Sequence, residues 1–329
     1  GGESPPPEAT QPKQPTEAKP APKPAPVTLN PIASALFPAL AAEATNPDNA
    51  ATPEKVELGR MLFWEKRLSK NHDVSCNSCH GLGTAGVDGK PTSSGHKGQL
   101  GSRNSPTVLN AAFHSTQFWD SRAANVEEQA KGPILNPVEM AMKDEKAVLA
   151  VLKSMPGYVD AFKKAFPDDK DPVTYDNLAK AIGAFERKLV APAKWDRFLG
   201  GDQAALSDAE KKGMNTFIDA GCMACHMGAT FGGTMNQKLG LISPWPRKEG
   251  EKDDFGRFEV TKNETDKLMF KVPGLRNVTR TAPYLHNGLY ADLKEVVKLM
   301  AKHQSGKDLT DAQVAEIVTF LGALEGDAP

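Results

Sequence analysis

The sequence predicts an all-α fold made of two similar helical units, and three observations carry that expectation. After Pro31 apolar residues recur mostly at three- and four-residue spacing, while the alternation of a half-buried strand is scarce. A Cys-x-x-Cys-His segment occurs twice, at 76–80 and 222–226, and uses all four cysteines. Each copy follows a stretch with helix-starting chemistry, so the chain reads as one unit duplicated, with a boundary near residue 190. A length of 329 residues with 39% hydrophobic content is enough for two modest cores.

Taken in order, residues 1–31 hold ten of the 26 prolines and almost nothing apolar, which predicts an extended, disordered leader or a tether. Thr52-Pro53-Glu54 supplies a cap, a first-turn proline and an acidic first turn, followed by Leu58, Met61 and Leu62 on one face. This helix leads toward Cys76. Leu178, Ile182, Phe185 and Leu189 form a second apolar stripe. Ser207 and Glu210 form a capping box for a helix that stops at Gly221, immediately before Cys222. Leu293, Val296, Val297 and Met300 make another stripe, read as core. A last helix over 310–324 is capped by Thr310 with Gln313 and buried through Val314, Ile317, Val318 and Leu321.

Composition excludes several classes. With 40 Lys+Arg against 41 Asp+Glu, no field strong enough to imply a nucleic-acid partner is present. No run of about 18 apolar residues encodes a transmembrane span. The chain begins with Gly and shows no charged-then-apolar leader, which predicts a processed or trimmed form.

The chemistry lies in Cys76-Asn77-Ser78-Cys79-His80 and Cys222-Met223-Ala224-Cys225-His226. In such a segment two thiols add across the vinyl groups of a haem, and the adjacent His binds iron from the proximal side. A redox dithiol has no need of the His, and a zinc site has no need of one beside each pair. Two covalent haem c groups are therefore expected. Haem c is attached outside the bacterial inner membrane, so the expected compartment is the periplasm. For the sixth iron positions, His72, His96, His114, His286, His303 and ten methionines compete, and spacing does not choose among them.

From Cys76 to the C-terminus the chain resembles the bacterial di-haem cytochrome c peroxidases. The specific segments are His96-Lys97-Gly98-Gln99-Leu100-Gly101, Arg103-Asn104-Ser105-Pro106-Thr107-Val108-Leu109-Asn110, Gln117-Phe118-Trp119-Asp120-Ser121-Arg122, Asn136-Pro137-Val138-Glu139-Met140 and Thr281-Ala282-Pro283-Tyr284-Leu285-His286-Asn287-Gly288. The resemblance implies two cytochrome c-like domains, 32–189 and 190–329, each with one covalent haem, facing a shared interface. It implies His80 and His96 on a low-potential, peroxide-binding haem, and His226 and Met300 on a high-potential, electron-accepting haem, with Met235 and Met269 as fallbacks. Glu139 and Gln129 are similar to the polar pair of the peroxide pocket, and Trp119 matches a tryptophan between the haems. His286, beside Tyr284, is a further candidate catalytic residue. Asn104, with the carbonyls of Thr281 and Pro283, matches a calcium site.

The activity implied is reduction of hydrogen peroxide to water, with electrons from a small periplasmic cytochrome c or copper protein and with a homodimer as the assembly. One rival is a related enzyme that oxidises tryptophans of a partner protein, a branch with Tyr at the position that Met300 occupies. Another is a non-enzymatic di-haem electron carrier or peroxide sensor, which has no need of Glu139 and Gln129. His96 lies 16 positions beyond His80 in a glycine-flanked loop, which suggests a ligand that swings away on reduction.

Overall fold

The structure, a computed structural model, describes residues 1–4 and 25–329. Residues 5–24, the bulk of the proline-rich segment, lie outside the described residues. The architecture is mostly helical. Among the described residues the sheet is a single short antiparallel pair, Asn236–Lys238 with Met269–Lys271.

Two helix crossings organise the chain, and they are built alike. The helix Pro53–Phe63 starts where Thr52 Oγ1 accepts the Lys55 N–H at 3.3 Å, and it packs on the helix Tyr175–Glu186. Contact is made at Gly59, where a Cβ would land on the Ala181 carbonyl. The helix Asp208–Asp219 starts with the expected capping box, in which Ser207 N–H donates to Glu210 Oε2 at 2.8 Å and Glu210 N–H to Ser207 Oγ at 3.3 Å. It packs on the helix Asp311–Gly322 at Gly213, where a Cβ would meet the Glu316 carbonyl. The missing side chain lets each pair of helices approach closely, and each first helix ends shortly before its Cys-x-x-Cys-His segment.

Each crossing sits in its own core. One core gathers Leu58, Leu62, Leu152, Phe162, Leu178 and Ile182; the other gathers Trp195, Met214, Phe217, Phe231, Phe320 and Leu321. The helix Val126–Leu135 is tied to the first through a buried pair in which Arg187 Nη2 meets Glu127 Oε2 at 2.8 Å.

Three details differ from the sequence reading. Residues 27–30, placed within the spacer, are fastened to the helix Asp208–Asp219: Val27 N–H donates to Asp208 Oδ1 at 3.2 Å and Asn30 N–H to Asn215 Oδ1 at 2.7 Å. Phe37 packs in the second core, stacked on Phe231 at 4.5 Å, and its carbonyl accepts the Trp195 indole N–H at 2.8 Å. In the last helix Phe320 is fully buried while Val318 is only half-buried, because the face turned to Gly213 is the one that carries Phe320. Among the described residues no helix is long and apolar enough to cross a membrane.

Gly59→Ala and Gly213→Ala should each destabilise the protein by about 1–3 kcal/mol, because the added methyl meets backbone that cannot yield. Gly157, in the first turn of the helix Pro156–Ala165, has open space around it, and Gly157→Ala should stabilise by about 0.4–1 kcal/mol. Urea midpoints of the three variants check both signs; equal shifts in all three would contradict the crossing geometry.

Candidate functional site

The two Cys-x-x-Cys-His segments fold as tight turns for local reasons. Ser75 and Ser78 form a capping box around Cys76–Cys79, and Gly221, at φ 81°, turns the chain into Cys222. In each segment the His N–H closes back on the first cysteine carbonyl, at 2.9 Å for His80 and 3.0 Å for His226.

Both imidazoles are then held the same way. His80 Nδ1 lies 3.0 Å from the Pro106 carbonyl and His226 Nδ1 lies 3.1 Å from the Phe231 carbonyl. A carbonyl only accepts, so Nδ1 carries the proton and Nε2 the lone pair, the tautomer a metal ligand needs. Burial holds both histidines below their usual range, which keeps them neutral. The four cysteines form no disulfide, and burial pushes the Cys76 and Cys222 thiols up to about 12. A redox dithiol depends on a depressed thiol, so this environment argues against one.

A largely apolar cavity of about 1360 Å³, counting space open to solvent, extends from His226, Cys222 and Met300 to Trp119, Asn104 and Pro106. Leu293, Val296 and Val297 line it too. The stripe on the helix Leu293–Ser305 is therefore cavity wall, which is why Leu293, Val297 and Met300 are only half-buried. Met300 is the methionine on this wall; Met235 and Met269 are not among the lining residues. Apolar walls, the Cys222 thiol, a neutral imidazole and a thioether, with Cys225 in the same turn as Cys222, form a donor set that fits a haem c. His80 and His96 do not line this cavity. His80 is reached through Ser105 and Pro106, which do, at 3.2 and 3.0 Å from Nδ1.

On the N-terminal side the loop around His96 is laid on the turn that carries Glu139. The His96 N–H donates to the carbonyls of Glu139 at 2.8 Å and Val138 at 3.1 Å. A Cβ on Gly95 would strike the Val138 carbonyl and Glu139, so only glycine permits this approach. His96 is buried and its Nδ1 has no hydrogen-bond partner among the described residues. Burial raises the Glu139 carboxyl above its usual value, against opposing pulls from Arg122 and Asn136. Gln129 is half-buried on the helix Val126–Leu135, which leads directly into the same turn.

Between the halves, Trp119, Asn104 and His286 form one knot. Trp119 Nε1 donates to the Asn104 carbonyl at 3.0 Å, and the Asn104 N–H donates to the His286 carbonyl at 2.7 Å. The Trp119 and His286 rings meet edge-on at 6.4 Å, and His286 stacks on Phe270 at 4.2 Å. Asn104, Thr281 and Pro283 all line the cavity. Asn104 Nδ2 donates to the Lys90 carbonyl at 2.9 Å, which leaves Oδ1 available to a cation.

Sequence reasoning missed the ion cluster under this knot. Arg103 binds Asp254 with two bonds of 2.7 Å and Asp120 with one of 2.6 Å, while Asp120 also holds Arg122 at 3.0 Å. Arg103 and Asp120 stood inside recognised motifs, but nothing local marked Asp254 as their partner. Lys271, buried against this region, was missed as well; half-buried His114, considered above as an iron ligand, meets the Lys271 amine at 3.3 Å.

Residues 53–204 match the family described as di-haem cytochrome c peroxidase. The cytochrome c551 peroxidase of Pseudomonas aeruginosa is 46% identical over 92% of this chain and 87% of its own length. That of Nitrosomonas europaea is also 46% identical, over 87% of this chain and 85% of its own. Among solved structures, a MauG-like protein associated with microbial copper homeostasis superposes with a TM-score of 0.76 at 27% identity, covering 88% of this chain and 95% of that one. With that identity sustained over nearly the whole length, the chain belongs to the di-haem cytochrome c peroxidase family.

Proposed function

We propose that this protein reduces hydrogen peroxide in the periplasm, H2O2 + 2 e⁻ + 2 H⁺ giving two waters, with electrons from a small cytochrome c or copper protein. The observation that supports the reading is the seating of the His96 loop on the Glu139 turn, which brings the loop of the candidate ligand His96 against the segment that carries the candidate proton carrier Glu139.

The division of labour follows the two units proposed from the sequence, 32–189 and 190–329, with the segment up to Phe37 packed on the second. Cys76, Cys79, His80 and His96 would hold one haem c; Cys222, Cys225, His226 and Met300 would hold the other and receive the electron. Bound haem supplies the redox chemistry and an openable iron position. Glu139 takes the proton from one peroxide oxygen and returns it to the other, while Gln129 donates a hydrogen bond to the leaving hydroxide. Trp119 and His286 occupy the ground between the two centres. Asn104 Oδ1 and the carbonyls of Thr281 and Pro283 suit a calcium ion, whose hard oxygen shell waters would complete. A homodimer is the assembly this reading favours, with the proline-rich segment serving as a tether.

Glu139→Gln should keep both haems and lose about 10² to 10⁴ in peroxide turnover with reduced small cytochrome as donor, measured by stopped flow. Activity close to wild type would remove Glu139 from proton transfer. His96→Gly should leave the N-terminal haem high-spin in the fully oxidised protein and abolish any lag before turnover, read by electron paramagnetic resonance and progress curves. A variant that stays low-spin would show that another residue ligates the iron.

A further inference from the structure

The wall of the central cavity carries two basic side chains, Lys271 and Arg276, and no carboxylate. The two are treated very differently. Arg276 is buried but fully compensated, with Nη1 and Nη2 on Asp196 at 2.6 and 2.9 Å and Nε on the Ala229 carbonyl at 2.6 Å. Lys271, 6% exposed, has no carboxylate within 4 Å among the described residues. Its Nζ is met by His114 Nδ1 at 3.3 Å and by the Thr116 carbonyl at 3.2 Å, both neutral acceptors. The carboxylate of Asp120 is committed to Arg103 and Arg122. A buried ammonium without a counter-ion is strongly disfavoured, so a chain that builds one is organised for an anion that arrives from elsewhere.

The surroundings of the amine are constructed. His114 sits in a slot that two glycines leave open: a Cβ on Gly233 would fall on its ring, and one on Gly274 would come within 2.9 Å of Nε2. Burial and the neighbouring Lys271 push the His114 imidazole well below its usual value, so it stays neutral and accepts rather than competing as a cation. The backbone of Lys271 is pinned on the strand Met269–Lys271, and its N–H donates to the Trp119 carbonyl at 2.8 Å. Burial lowers the amine to about 8, which leaves it charged at neutral pH. With two N–H groups given to His114 and Thr116, one of the three remains for a ligand.

We propose that Lys271, oriented by His114 and Thr116, binds a propionate carboxylate of the haem held by His226. This inference rests on the two-haem reading above. The C-terminal haem is the one implicated because Lys271 leads directly into Pro273 and Gly274, which line the cavity beside His226; a Cβ on Gly232 would meet the Pro273 carbonyl and lie 3.2 Å from His226 Nδ1. Carboxylates entering an otherwise apolar cavity need a partner there, and Lys271, which feels Asp120 only through space, is the one bonded to no carboxylate. By neutralising negative charge near the iron, the ammonium favours the reduced state and so raises the potential of the electron-accepting centre.

The test uses the intact di-haem protein, with haem counted by mass so that a failure of the two-haem reading is seen separately. In wild type poised with only the C-terminal haem reduced, its propionate-bending Raman band should shift between H2O and D2O. Lys271→Met should abolish that shift and lower the midpoint potential of this haem by at least about 59 mV, a tenfold change in its one-electron reduction equilibrium. Lys271→Arg should restore most of both. A wild-type band insensitive to D2O overturns the proposal even if the variants fail to fold. So does a Lys271→Met protein with two haems and an unchanged C-terminal potential, or one in which only the N-terminal haem shifts.

Discussion

Much of the molecule depends on one buried guanidinium. Arg103, from the N-terminal half, holds Asp254 of the C-terminal half with two bonds and Asp120 with a third, and all three side chains are largely shielded from water. Removing one member of such a cluster costs about 3–5 kcal/mol because a charge is left buried and unpaired. The geometry it enforces matters more than its net contribution. Asp120 follows Trp119 directly, and Arg257 adds bonds to the carbonyls of Asp120 and Ser121 at 3.2 and 3.0 Å. The loop that carries Trp119 is thereby clamped by the opposite half, which fixes the tryptophan against Asn104 and His286.

The two haem segments show how a repeated unit solves one problem twice. A capped helix crosses another at a glycine, stops, and delivers a turn whose His is fixed by a backbone carbonyl. The accepting carbonyls differ, Pro106 in one half and Phe231 in the other, yet the tautomer imposed is the same. What distinguishes the halves lies outside the repeat. The C-terminal turn opens onto a cavity walled by the helix of Met300, and the N-terminal turn is approached by the loop of His96.

Magnitudes decide how that loop can behave. Leaving the Glu139 turn breaks the His96 N–H shared by two carbonyls and the bond from Gln99 Nε2 to the Pro137 carbonyl at 3.3 Å, about 0.5–1.5 kcal/mol for each ordinary hydrogen bond. Driving a two-state element from about 1% to about 99% requires about 5.5 kcal/mol. These bonds are therefore the smaller part of what a switch of that size would have to supply. Lys97 and Gly98, at φ 56° and 74°, turn the loop sharply in one tight turn, closed by the Gln99 N–H on the His96 carbonyl at 3.2 Å. The Glu139 turn, by contrast, is braced by the backbone bonds of Glu139 to Asn136 at 3.0 Å and Met140 to Pro133 at 3.2 Å. Movement of the loop can thus leave the carboxylate in place.

Local chemistry was legible from the residues alone. Thr52, Ser207 and Thr310 cap helices where their side-chain oxygens and acidic or amide partners said they would, because a cap involves only neighbours within one turn. The two Cys-x-x-Cys-His segments were legible for the same reason, since their chemistry is contained in five residues. Periodicity identified the stripe of Leu293, Val296, Val297 and Met300 but not what it faces, because a core and a cofactor cavity ask for the same side chains. Phe37 joins a core assembled from residues 195–324, and Asp254 closes on Arg103 across 151 positions. Which buried cation is compensated and which is left open, Arg276 with Asp196 and Lys271 without a carboxylate, was decided only when the chain folded. Charge pairing at such separations depends on distances in space, which no local pattern encodes.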